Sequence, residues 1–246
     1  MITRVDVDGV GLVAEGAMAP YLELDESDIQ DIWQWKRPTV VIDIAPWSGA
    51  GVPAAEKYRR LYCDSTTQWN AWQRNEERRT AKRCGVVHRA VQTGTLERLF
   101  DAAMEERCSG YFSWADIDDA ERTMFRRLCA GYPAMTVSLK DEAGALLSES
   151  LLVHVERLHE WYLVFTSWLR DDPAARRMMV GVRALFECAR VTCDELGTRL
   201  NVGPAMGYKS AVATSSEPAL GIVLCDDDTE GEWTDYVPKE RWNRCR

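Results

Sequence analysis

Hydrophobic and polar positions change their period near residue 134. Beyond it Met135, Val137 and Leu139 alternate with Thr136, Ser138 and Lys140, the period of two that places apolar side chains on one face of a strand. Asp141-Glu142-Ala143-Gly144 turns the chain into a second strand over 145–155, and 157–160 turns it into a third over 161–168, which predicts an antiparallel meander. Asp172 as N-cap and Pro173 at the first helical position then predict a helix with Met178, Val182, Leu185, Ala189, Cys193 and Leu196 as its apolar stripe. Arg183, Glu187, Arg190 and Asp194 fall on the opposite, polar side, and Gly197 closes the helix. Residues 198–202 read as a short strand, so 161–202 forms a strand–helix–strand crossover attached to the meander.

Upstream, Thr3–Val7 and Val10–Ala14 flank Asp8-Gly9 as a hairpin, 26–36 is helical up to Pro38, 39–45 is an apolar strand, and 48–53 is a turn-rich loop. Ser65 or Thr66 is placed to cap a helix running to about Arg83 and ending at Gly85, with Trp69 and Trp72 as its apolar patch. Two packing helices follow: one capped by Thr95, with Leu96, Leu99, Phe100 and Ala103 on one side, and one over 114–130. The expected fold class is α+β, a meander followed by a crossover, with an N-terminal α/β extension. In domain terms this is a strand and helix region over 1–64, a main domain over 65–225, and an acidic loop and tail over 226–246.

A formal net charge of −9 argues against indiscriminate nucleic-acid binding, since that affinity comes from a positive surface. The charges are unevenly spread, however. Residues 226–232 hold five acids and no base, whereas 74–89 hold Arg74, Arg78, Arg79, Lys82, Arg83 and Arg89 against Glu76 and Glu77. Along the helix, Arg74, Arg78 and Lys82 with Arg79 and Arg83 recur at three and four, so one face is basic. That face is either a solvated surface or a phosphate contact, with Arg78, Arg79, Lys82 and Arg83 as the contacting residues. The eight cysteines are scattered without a C-x-x-C pair, and no Cys or His pair has zinc-ligand spacing, so neither a disulfide framework nor a metal is expected. The first residues lack a signal-peptide stretch and no run of eighteen apolar residues occurs, so a cytoplasmic location without membrane contact is expected.

Three antiparallel strands, a helix directly after the third, and a strand parallel to it are the core order of the GNAT superfamily. Asp172-Pro173, Ala189, Gly197, Asn201-Val202-Gly203 and Tyr208-Lys209, in that order, resemble the closing segment of its FemAB-like branch. The Arg-rich helix with the 86–90 strand and the Thr95 helix resembles that branch too, over roughly 65–212. The resemblance implies an acyl- or aminoacyl-transferase with an amine or hydroxyl acceptor. It also implies a cleft between splayed parallel strands, with donor phosphates at a helix N-terminus where free N–H groups favour anions.

On that frame Arg176 and Arg177 are placed in the first helical turn, as donor-phosphate ligands or as solvated cations, with Gly181 and Lys209 also on the donor side. In the R-x-x-G-x-G pattern of coenzyme A users, Arg176 and Gly181 match while Met179 stands at the first glycine. The donor is therefore expected to be an acyl-CoA or an aminoacyl-tRNA, the second suiting both a degenerate loop and a basic helix; no tightly bound cofactor is expected. Glu149 interrupts an apolar strand as part of Ser148-Glu149-Ser150. Either it is desolvated and serves as base, or a bulge or edge lets it reach water. Tyr208 either donates a proton to the leaving group or caps the core. Two other readings remain: a phage-type transferase acting on a modified DNA base, and a noncatalytic GNAT-like binding protein.

Overall fold

The computed structural model describes residues 5–6, 12–15, 39–42, 52–53, 59–96, 98–99, 131–168, 173–204, 207–225 and 243–244. In chain order the elements are β1 (Val5–Asp6), β2 (Leu12–Glu15), β3 (Thr39–Ile42), β4 (Val52–Pro53), β5 (Arg59–Cys63), α1 (Ala71–Cys84), β6 (His88–Thr95), β7 (Pro133–Lys140), β8 (Leu146–Val155), β9 (Glu160–Trp168), α2 (Pro173–Met178), α3 (Val180–Ala189), β10 (Arg199–Pro204), β11 (Ser215–Pro218), β12 (Leu220–Cys225) and β13 (Asn243–Arg244). The chain divides into two units, Met1–Arg60 with Glu217–Arg246, and Leu61–Ser216.

In the first unit β1 and β2 pair antiparallel, the hairpin expected around Asp8-Gly9, and β2 lies parallel to β3. β12 runs antiparallel to β3 and β4, so 220–225 joins the N-terminal strands rather than the meander. The helices expected over 26–36 and 114–130, most of the Thr95 helix, and the acidic run 226–232 lie outside the described residues.

The second sheet has the order β11-β5-β10-β9-β8-β7-β6. β6, β7, β8 and β9 are successively antiparallel, as the period of two predicts, and β10 returns parallel to β9. The alternation anticipates one dry face, yet Ala134 to Leu139 are all buried. The polar face is covered too, and Ser138 is satisfied there by donating to Glu149 Oε1 at 3.0 Å. Against the other face α3 packs Leu185, Phe186, Cys188 and Ala189 over Met135, Val137, Leu152 and Leu200, and Trp69 meets Phe186 edge-on at 5.1 Å.

Three helix boundaries differ from expectation. Ser65 caps only a 3₁₀ turn, Thr66–Gln68; α1 starts at Ala71, where Asn70 accepts from the Gln73 amide and Gln73 Oε1 accepts from the Asn70 amide, both at 3.0 Å. This reciprocal capping box satisfies two otherwise orphaned N–H groups. The long helix expected from 173 is cut at Met179, which takes φ 61, so α2 and α3 are separate. Past α3 the chain continues as a π-helical turn, Arg190–Glu195, in which Thr192 Oγ1 donates to Cys188 O at 2.9 Å. The extra residue in that turn shifts the stripe out of phase, which leaves Leu196 exposed.

The presumed solvent face of the crossover helix is an interface. Arg183 and Glu187 are buried, and Glu77 of α1 pairs with Arg183 at 3.3 Å and with Arg190. Glu187 pairs with Arg183, with Arg190 at 2.9 Å, and with Arg89 of β6 at 3.3 Å. Two acids shared among three arginines fix α1 across α3.

Candidate functional site

β9 and β10 pair only through Arg199↔Glu160, Leu200↔Trp161 and Asn201↔Tyr162, after which β9 continues to Trp168 and β10 to Pro204. Two features part them. In β9 the pairing passes from Leu151↔Phe165 to Leu152↔Leu163, so Val164 is the extra residue of a bulge, which bends a strand and raises its twist. In β10 Gly203 has φ 78, a conformation that costs L side chains energy.

The buried Asn201 locks the parting point: its Nδ2 donates to Glu160 Oε1 at 2.8 Å, and its Oδ1 accepts the Gly203 amide at 2.9 Å. A Cβ on Gly203 would lie 3.4 Å from Lys209 Nζ and 3.7 Å from the Tyr162 hydroxyl, so an ammonium and a phenol approach one point of bare backbone. Tyr162 is 1% exposed. The turn carrying Lys209 is held from behind, because Gln73 Nε2 donates to Ala213 O at 2.6 Å and Trp69 Nε1 donates to Val212 O at 3.0 Å.

At the start of α3, Met179 donates to Arg176 O at 3.1 Å, and its carbonyl accepts from Val182 and Arg183 at 3.0 Å each. Arg83 Nη1 comes within 3.3 Å of Met179 Sδ, and Cys84 Sγ donates to Met178 O at 3.0 Å, so the end of α1 abuts this turn. A Cβ on Gly181 would lie 2.9 Å from Trp168 Nε1, so the Trp168 indole sits directly on that glycine.

These positions revise the expected site. Arg176 and Arg177 are exposed in the last turn of the short α2, not the first turn of the crossover helix, and at a C-terminus the helix dipole favours cations. Arg78, Arg79, Lys82 and Arg83 are exposed on α1. Tyr208 is 53% exposed at the head of the 3₁₀ turn Lys209–Ala211. Glu149 is buried on the sheet face turned away from α3, in register with Ser138 and Ser167 and with β9 between it and β10. The structure thus joins Lys209 to the splay, Gly181 to Trp168 and Arg83 to Met179. Sequence reasoning overlooked Tyr162, Glu160 and Trp168. The one available signal was Asn201, a polar residue set between Leu200 and Val202. Burial pushes the thiols of Cys84 and Cys188 up, the latter to about 12, so neither supplies a thiolate near neutral pH. Among the described residues no three His, Cys, Asp or Glu side chains gather as a metal site, and no helix is long and apolar enough to cross a membrane.

No family model and no curated protein matches the sequence. Solved structures do. L-PGS from Bacillus licheniformis is similar at 14% identity and a TM-score of 0.50, covering 89% of this chain and 79% of that one. The C-terminal domain of a protein described as a lysylphosphatidylglycerol synthetase, from Agrobacterium fabrum, gives 15%, 0.46, 88% and 78%. A tandem GNAT protein from the clavulanic acid biosynthesis pathway gives 11%, 0.41, 80% and 67%. The fold is GNAT-like. At such identities the likeness concerns the fold alone. Met179 itself takes a left-handed conformation, which a glycine adopts without the strain a side chain brings.

Proposed function

We propose that this chain is an acyl- or aminoacyl-transferase of the FemAB-like branch, moving an acyl group to an amine or hydroxyl acceptor in the cleft where β9 and β10 part. The observation that carries the reading is the approach of Lys209 Nζ and the Tyr162 hydroxyl to Gly203 at that point. Acyl transfer develops negative charge on the donor carbonyl oxygen, and an ammonium beside bare backbone stabilises it. The Tyr162 phenol at the same place supplies the proton that the leaving group needs, with the exposed Tyr208 at the head of the adjoining turn as the second candidate. Glu149 is the candidate base, reached through the sheet face it shares with Tyr162. Aminoacyl-tRNA is the favoured donor, a reading supported by Met179 in place of a glycine and by the Trp168 ring on Gly181, with cations on Arg83, Arg176 and Arg177 flanking the same turn.

The test is to offer the purified protein a panel of charged tRNAs and of acyl-CoAs together with a mixture of small amines and alcohols, and to follow donor loss and acylated product by mass spectrometry. Donor consumption that disappears in Lys209→Ala is the expected result. Failure of every donor to react or to add mass to the protein would overturn the reading. It would leave a noncatalytic GNAT-like binding protein, which the Trp168 ring seated on Gly181 favours.

A further inference from the structure

Trp69 and Trp72 form one apolar patch in the sequence, but the fold separates them. Trp69 is buried against Phe186, whereas Trp72 is 52% exposed on α1 and makes no ring contact or hydrogen bond with a described residue. The buried side of α1 is Gln73, Thr80 and Cys84. At 100° per residue, Trp72, Arg79 and Arg83 therefore line one flank of α1, and the exposed Lys82 and Arg78 continue from it across the outward side. Glu76 is the acid among them and is tied to Arg79. Glu77 is turned inward to Arg183 and Arg190, so it does not neutralise this face. At its C-terminal end the face meets the Met179 turn through Arg83, next to the exposed Arg177.

From this juxtaposition we propose that the outward face of α1 binds an unpaired nucleic-acid strand, with Trp72 stacking on a base and the four cations following the phosphates. A cationic track holds any polyanion. An exposed indole beside it, without a ring partner among the described residues, adds a stacking surface for what an unpaired strand offers, an open base face. In a duplex the base faces are already stacked on one another, and on an anionic membrane the ring would be one apolar anchor among cations, without preference for an oligonucleotide. The chain's net charge of −9 confines binding to this local face, and its phosphate contacts make that binding salt-dependent. This inference goes beyond the transferase reading and is tested without turnover, so either can fail alone.

The probe is a fluorescein-labelled twelve-nucleotide strand, as RNA and as DNA, titrated with the full chain and read by anisotropy across a salt series. Its duplex and vesicles of anionic phospholipid serve as comparisons. An unpaired strand of either sugar should bind more tightly than the duplex. Trp72→Ala should weaken it roughly tenfold, the scale of one base–aromatic stack, while Trp72→Phe retains most of the affinity because it keeps a π-face. Replacing Arg78 and Lys82 together by Gln should lower the salt slope by about 1.4, two lost phosphate contacts at the single-strand coefficient. Both positions are exposed, so the variants should melt as the parent does. Equal affinity for duplex and single strand, an unchanged affinity in Trp72→Ala, or Trp72-dependent binding to vesicles with none to oligonucleotides would each overturn the proposal.

Discussion

Gly181→Ala isolates the contact that distinguishes this turn. The new methyl would sit 2.9 Å from Trp168 Nε1 and 3.2 Å from Cδ1 and Cε2, closer than real side chains approach. The ring has little room to withdraw, because Trp168 packs on the buried cluster of Cys84, Leu139, Leu147, Ala175, Val180 and Ala184. Overpacking of this kind costs about 1–3 kcal/mol. Alanine recovers part of it, up to about 1 kcal/mol, as the better helix former. The expected net loss is therefore about 1–2 kcal/mol, read by urea unfolding with an unchanged m-value. In a Trp168→Ala background the obstruction is gone, and the same Gly181→Ala change should be neutral or slightly stabilising. The cycle then yields a coupling of about 1–3 kcal/mol, well outside the few tenths expected of independent sites. Additive effects within about 0.5 kcal/mol would refute the claim that Gly181 is glycine because of Trp168.

Asn70→Ala removes the capping box and should cost about 1 kcal/mol by urea unfolding, whereas Ser65→Ala, which caps only the 3₁₀ turn, should cost less. Glu187→Ala strips the buried acid shared by Arg183, Arg190 and Arg89, and should cost about 3–5 kcal/mol because Arg183 keeps a buried charge with less compensation. Stability should fall as pH climbs past about 8.5: the unfolded chain loses its thiol protons there, while burial keeps Cys188 protonated up to about 12 and also raises Cys84, so the native state binds more protons. Thermal melts from pH 7 to 10, repeated with Cys188→Ala, check the sign, and a flat profile in the parent would contradict it.

The meander was legible because strand periodicity is local: Met135, Val137 and Leu139 announce a face wherever the strand ends up. The crossover was legible for the same reason, through Pro173 and the apolar positions of the helix. What stayed hidden depends on neighbours that no local pattern names. The stripe runs from Met178 to Val182 across Met179 without interruption, and methionine gives no sign of a left-handed φ, so the break between α2 and α3 was invisible. Arg183 and Glu187 look like a wetted face until Glu77, more than a hundred positions away, is laid across them. Trp69 and Trp72, three apart, seemed one patch because the helix was expected to begin at Ser65 or Thr66. With Trp69 ahead of α1 rather than inside it, the two rings point to different surroundings.

The turn at Met179 also bears on how the two halves of the candidate site communicate. A left-handed non-glycine residue costs roughly 1–2 kcal/mol, and persists only where its surroundings fix it. Here the fixing groups come from two directions. From the chain itself, the Met179 amide and carbonyl are tied to Arg176, Val182 and Arg183; from α1, Arg83 meets its sulfur and Cys84 bonds the preceding carbonyl. Midway along α1, Glu77 grips Arg183 and Arg190, and at its start Gln73 grips the segment just beyond Lys209. The helix that presents the basic face therefore touches both the Met179 turn and the Lys209 turn. A ligand that displaces α1 therefore disturbs contacts at both turns at once.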